Sequence, residues 1–210
     1  PRAPESAAVV RLNGVATSRV IRALSEVEVP VGVRELASVA QVSPGSVSKL
    51  LVTLAAEGIV DRDARGALTG VRRRSLLRRW VQDYGYATTN PGLGYWLAPR
   101  GLAQVTDRLA KQEGVAVTGS AAARRLLPPD ATSVVPLRLF ALYAASPRRL
   151  AEQVGLVEAD AATANAVIVA PQDQRILPQA GEPVALAPTA LVLADLLTLP
   201  GAEQLHLASA

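Results

Sequence analysis

The sequence predicts an α+β chain in two parts: a small helical head with a short ribbon, then a small α/β domain. Three observations carry this reading. Apolar residues recur at i, i+3, i+4 and i+7 over residues 33–40 and 47–54, the stripe of an amphipathic helix. Later, short apolar runs at 115–118, 134–144 and 166–170 alternate with helix-period segments, which argues strands mixed with helices. The charge is also uneven. Residues 1–110 carry 15 Lys and Arg against 9 Asp and Glu, a net +6, whereas residues 111–210 carry 7 against 9, a net −2.

Residues 1–16 read as a lead-in. A first helix is expected from Thr17 to Val27, with Val20, Ile21 and Leu24 on one face. Pro30 and Gly32 interrupt it. The second helix runs from Val33 to Ala40 and buries Val33, Leu36, Ala37 and Ala40. After the turn Gln41-Val42-Ser43, the Ser43 hydroxyl is placed to cap a third helix, and Pro44 sits where a missing N–H costs nothing. That helix turns Val47, Leu50, Leu51 and Leu54 inward and ends at Gly58, a natural C′ residue. Strands over 59–62 and 67–71 flank a turn at 63–66. A fourth helix from Arg74 to Tyr84 buries Leu76, Leu77, Trp80, Val81 and Tyr84 and stops at Gly85. Helix, short turn, capped helix and ribbon form the order of a winged helix-turn-helix over residues 1–86.

Residues 87–94 are rich in turn formers and read as a linker. In the second domain, 95–210, strands are expected at 95–97, 115–118, 134–144 and 166–170, with helices at 101–112, 119–127 and 147–154. Residues 174–177 and 183–186 read as a hairpin around Gly181. A last helix starts near Pro188 and carries Leu191, Ala194, Asp195, Leu197 and Leu199. Asp195 is polar among leucines, in a place suited to a cap or an ion pair.

Composition narrows the function classes. The chain has no cysteine and one histidine, His206, so it is poor in metal ligands and has neither a disulfide framework nor a thiol nucleophile. No apolar run of about 18 residues appears, and the start PRAPESAAVV lacks the layout of a secretory leader. The expectation is a cytoplasmic protein with no cofactor, no metal and no membrane partner.

The third helix carries the functional signal. Opposite its leucine stripe lie Gly45, Lys49, Val52 and Ala56, with Ser46, Ser48 and Thr53 on the shoulders. A helix entering a groove about 12 Å wide needs such slim or hydrogen-bonding side chains. Ser46, Ser48, Lys49 and Thr53 are the candidates to read bases, and the helix N-terminus at Ser43 and Gly45 can hold a phosphate. Arg62 and Arg65 fall at the ribbon, and Arg72, Arg73, Arg74, Arg78 and Arg79 follow within eight positions. Together these predict double-stranded DNA as the partner. The same trihelical fold also serves protein contact alone, and that reading stays open.

The chain further resembles the AbiEi-type antitoxins of type IV toxin–antitoxin systems, winged-helix transcriptional regulators. The resemblance rests on Gly94-Tyr-Trp-Leu-Ala-Pro99, on the step from strand to helix over 115–123, on Ala166–Pro171 and on the closing helix over 187–201. It implies autorepression through operator DNA, with antitoxin action toward a cognate toxin in the second domain. Val117-Thr-Gly-Ser-Ala121 also looks like the Gly-Ser entry of a nucleotidyltransferase fold, where that helix start holds triphosphate. Such enzymes need carboxylates on adjacent strands to hold metals. The strand from Val134 has none, and Asp130, Asp160 and Asp173 fall in loops. A degenerate, non-catalytic copy of that fold is the expectation, with nucleotide binding as an alternative to DNA binding. Trp80 and Trp96 read as buried anchors.

Overall fold

The computed structural model describes residues 11–128, 130, 137–179 and 181–199. His206 and the expected strand residues 134–136 lie outside these. The fold is α+β: a helical N-terminal region with a ribbon, then a unit built on a sheet. The chain divides into two compact units between Asp83 and Tyr84.

The first unit contains α1 (Val15–Glu26), α2 (Val33–Ala40), α3 (Pro44–Ala56), β1 (Val60–Arg62), β2 (Leu68–Val71) and α4 (Arg73–Trp80). The expected stripes point inward: Ile21, Leu24, Leu36, Val47, Leu51, Leu54 and Leu76 are fully buried, together with Leu68 and Trp80. Burying each large aliphatic side chain contributes about 1.5–3 kcal/mol, which outweighs the modest intrinsic propensity of helices this short. Ser43 caps α3, accepting from the Ser46 N–H at 3.2 Å. At the other end of α3, Gly58 takes a φ of +68°, and the Ile59 N–H returns to the Leu54 carbonyl at 2.8 Å, closing a Schellman turn. The ribbon pairs β1 and β2 antiparallel with a bulge between Asp61 and Arg62, and Val31 adds a single antiparallel bridge to Leu68 of β2. Helix α4 stops at Trp80, four residues before its expected end. The Trp80-to-Tyr84 spacing imitates a helix turn, but Tyr84 belongs to the core of the second unit.

The second unit contains α5 (Tyr86–Thr89), β3 (Gly94–Leu97), α6 (Leu102–Leu109), β4 (Val115–Thr118), α7 (Gly119–Leu126), β5 (Phe140–Ala144), α8 (Pro147–Val154), β6 (Val157–Glu158), β7 (Ala166–Val169), β8 (Ala185–Leu186) and α9 (Thr189–Thr198). The sheet order is β6-β3-β7-β5-β4-β8; β5 runs parallel to β7 and β4 to β8, and the other pairs are antiparallel. Strands β4, β5 and β7 are buried along their whole length, so both sheet faces are covered. Tyr143 of β5 reaches Asp195 of α9, whereas α8 packs on β3, β5 and β7 together with α6.

Two expectations change here. The supposed linker over 87–94 lies inside this unit: Asn90 is buried, donates to the Tyr86 carbonyl at 2.9 Å and accepts from the Gln172 N–H at 2.9 Å. Its turn-forming composition serves a corner within the unit. The supposed hairpin around Gly181 is absent. Residues Gln174–Ile176 form a 3-10 turn capped by Asp173, and Ala185–Leu186 pair instead with β4. Among the described residues, no helix is long and apolar enough to cross a membrane.

Candidate nucleic-acid interface

Helix α3 turns Val47, Leu50, Leu51 and Leu54 inward and packs on α1 and α2, which leaves its other side to solvent. Gly45, Lys49, Val52 and Ala56 are exposed along that side, Val52 at 57%. They succeed one another at i, i+4, i+7 and i+11, so they form one straight stripe. Ser46 is exposed, and Ser48 and Thr53 are half-buried on the flanks. Two of the three hydroxyls are engaged: Ser46 Oγ meets Ser43 Oγ at 2.9 Å, and Thr53 Oγ1 donates back to the Lys49 carbonyl at 3.3 Å. Both retain acceptor lone pairs toward solvent.

The arginines divide into two groups. Arg62 Nε donates to the Gly66 carbonyl at 3.1 Å and closes the ribbon turn, where Gly66 has a φ of +84°. Arg72 Nη1 donates to the Gly58 carbonyl at 2.9 Å and pairs with Asp61 at 3.1 Å. Arg73 Nε and Nη2 donate to the Ser25 and Val27 carbonyls at 2.8 and 2.9 Å, satisfying groups at the C-terminal end of α1. Arg79, its side chain 13% exposed, donates through Nε to Glu57 at 3.0 Å and through Nη1 to Asp83 at 2.8 Å. The hydrogen bond from Arg79 holds the Asp83 carboxyl below its usual range. These four side chains hold the unit together.

Arg65, Arg74 and Arg78 are exposed, and their side chains form no hydrogen bond or ion pair among the described residues. Arg65 stands at the tip of the ribbon, where Asp63 Oδ1 accepts from the Arg65 and Ala67 N–H groups at 2.9 and 2.8 Å and stiffens the turn. Arg74 and Arg78 share a face of α4. At about 100° per residue they point roughly 100–140° away from Arg79, which faces Glu57 at the end of α3. The run of arginines visible in the sequence therefore does not form one patch. Sequence spacing separates helix faces but does not show which guanidinium finds a carbonyl or a carboxylate.

One consequence concerns Arg73. An Arg73→Ala variant should lose about 1 kcal/mol of stability in urea unfolding, from two lost hydrogen bonds at an exposed site. Its salt dependence of DNA binding should match that of the native chain. A flattened salt dependence would show instead that Arg73 touches phosphate.

The Gly119-Ser120 step opens α7 as expected, and the two loop carboxylates Asp160 and Asp173 serve local structure. Asp160 Oδ1 accepts from the Ala162 and Thr163 N–H groups at 3.0 and 2.8 Å, and Asp173 caps the 3-10 turn. Among the described residues no group of three or more His, Cys, Asp or Glu is placed to hold a metal ion.

Residues 17–64 match the family model of the IclR helix-turn-helix domain. That span runs from within α1 through α2 and α3 to the first ribbon strand. The match supports a winged-helix DNA-binding transcription regulator. No curated protein and no solved structure matches the chain.

Proposed function

We propose that the chain is a sequence-specific repressor that lays α3 in the major groove of an operator and sets its ribbon on the adjoining backbone. The observation that carries this is the exposed stripe Gly45, Lys49, Val52 and Ala56, free of bulky side chains and bordered by Ser46, Ser48 and Thr53. Lys49 is its one cation, and at the middle of the stripe it reaches a base edge or the phosphate beside it. Val52 suits the methyl group of thymine. Ser43 and Gly45, at the N-terminus of α3, are placed for a phosphate. Arg65 at the ribbon tip reaches the flanking strand.

The resemblance to AbiEi-type antitoxins supports a finer reading, in which the operator lies upstream of the chain's own gene and the second unit acts against a cognate toxin. Of the stretches that carry it, Gly94–Pro99 includes β3, 115–123 spans β4 into α7, 166–171 includes β7, and the described part of 187–201 includes α9.

The experiment is fluorescence anisotropy on the gene's own upstream DNA against a shuffled duplex of equal composition. The native chain should prefer the upstream DNA. A Lys49→Ala, Thr53→Ala double variant should bind that DNA about 10- to 100-fold more weakly, a loss of a few kcal/mol, with little change on the shuffled duplex. Equal loss on both duplexes would assign these residues to phosphate contact, and no loss on either would remove α3 from the interface.

A further inference from the structure

The chain has three asparagines, and one of them precedes a glycine: Asn13-Gly14, just before α1. Both residues are exposed and lie outside any helix or strand. Among the described residues, neither the Asn13 side chain nor the Gly14 N–H has a hydrogen-bond partner. A Cβ at Gly14 would meet only Thr17 Oγ1, at 4.0 Å, so the space around it is open. The chain is held on either side. Leu12 is fully buried and its N–H donates to Asp83 Oδ2 at 2.9 Å, while the Gly14 carbonyl accepts from the Ser18 N–H at 2.9 Å.

An asparagine reacts with its own main chain when the next backbone nitrogen loses its proton and reaches the side-chain carbonyl carbon. Glycine has no Cβ to hinder that approach. The Gly14 nitrogen also stands at the positive end of α1, whose first turn holds no acidic residue, and this favours the negative charge that develops on it. The other two asparagines lack these conditions. Asn90 is buried with both ends of its amide bonded, and Pro91 after it has no N–H to lose. Asn165 accepts from the Ala98 N–H at 2.8 Å, and Ala166 after it is fully buried at the start of β7.

We propose that Asn13 deamidates spontaneously in the folded chain, and that its isoaspartyl product loosens the attachment of Leu12 ahead of α1. The Gly14 nitrogen bonds to Asn13 Cγ, and Nδ2 leaves as ammonia with the proton that the nitrogen gave up. Water then opens the cyclic imide. Breaking the bond from nitrogen to Cγ leaves aspartate, whose carboxylate suits the N-terminus of α1. Breaking the bond from nitrogen to the main-chain carbonyl carbon leaves isoaspartate, which puts an extra methylene into the backbone. Leu12 then cannot keep both its burial and its bond to Asp83 while α1 stays in place. The assignment does not rest on the DNA reading.

The test ages the full chain at mildly alkaline pH, in buffer and in guanidinium. The tryptic peptide Leu12–Arg19 is followed by mass and by chromatography that separates aspartate from isoaspartate. In buffer it should convert to both products less than about tenfold more slowly than in guanidinium, while the peptides carrying Asn90 and Asn165 stay unchanged. Gly14→Ala, at a φ of −79° and in open surroundings that any residue accepts, should slow the conversion at least about tenfold. The isoaspartyl form, separated by chromatography, should unfold at lower guanidinium than an Asn13→Asp variant. The proposal is overturned if folding slows the reaction by about tenfold or more, because the fold then blocks the attack. It is equally overturned if Asn165 reacts in buffer as fast as Asn13, if Gly14→Ala reacts like the native chain, or if the isoaspartyl form is as stable as the Asn13→Asp variant.

Discussion

Replacing Asp195 by asparagine is expected to hold the stability of the second unit nearly level in this group's contribution from pH 4 to pH 8, whereas the native chain loses roughly 4 kcal/mol there. Asp195 is fully buried in α9, and burial pushes its carboxyl up to about 7 against the opposing effect of hydroxyl donors. Those donors are Thr118 and Tyr143 on Oδ2 and Tyr84 on Oδ1, the tyrosines at 2.7 and 2.6 Å. Tyr84 and Tyr143 also meet each other at 2.9 Å. Asp195, Tyr84 and Tyr143 thus form a ring with three oxygen–oxygen contacts, and each contact needs one hydrogen. Burial first, and then the carboxylate, raise both phenols well above their usual range, so each tyrosine keeps its proton and supplies one hydrogen. Only a protonated Asp195 supplies the third.

The direction with pH follows from this geometry. A carboxyl that holds its proton more tightly when folded stabilises the fold below its unfolded value near 4, and that stability drains away as the pH rises through about 7. Asparagine is neutral throughout. Its amide completes the same ring, donating to Tyr143 and Thr118 while its oxygen accepts from Tyr84. The asparagine variant should therefore gain on the native chain as the pH rises. Alanine at this position leaves three buried hydroxyls without their acceptor and should cost about 3–5 kcal/mol. Urea unfolding followed through Trp96 at pH 4.5, 6 and 7.5 measures all three chains. Parallel pH profiles for the native and asparagine chains would mean that Asp195 is ionised throughout and that the ring argument is wrong.

Much of this architecture was legible in the sequence because local rules and tertiary packing agree in it. Val33–Ala40, Val115–Thr118 and Pro147–Val154 have the bounds that their spacing and capping imply. The misreadings share a cause. Tyr84 and Asn90 look like a helix end and a linker, but both are drawn into buried polar contacts with Tyr143, Asp195 and Gln172, residues 50 or more positions away in sequence. Strand β6, two residues long, has no period to detect and exists through pairing with β3. At the candidate interface the α3 stripe was legible because a 3.6-residue repeat separates inside from outside. The fate of each arginine was not, because main-chain carbonyls as acceptors leave no trace in composition.

The division among the arginines leads to the second large effect. An Arg65→Ala variant should flatten the log–log salt dependence of DNA binding by about 0.9, the value of one released counterion, and weaken all duplexes alike. The ribbon turn that presents Arg65 is fixed by Asp63 and by the Arg62 bond to Gly66, so the lost contact is the guanidinium rather than the loop. Removing Lys49 together with Arg65 should leave the slope change near the ~0.9 of Arg65 alone and lower affinity for the operator at 0.1 M salt by about one to two orders of magnitude. Among the described residues Arg74 and Arg78 are equally free of partners, but they sit on the flank of α4 turned away from the end of α3. Screening over about 10 Å reduces them to a contribution to the long-range field, so their double replacement should slow association at low salt and change the slope less than Arg65 alone. A slope change near 1.8 for that pair would put α4 against the phosphates. The duplex would then have to contact the arginine-bearing flank of α4, and the docking of α3 and the ribbon proposed here would have to be redrawn around it.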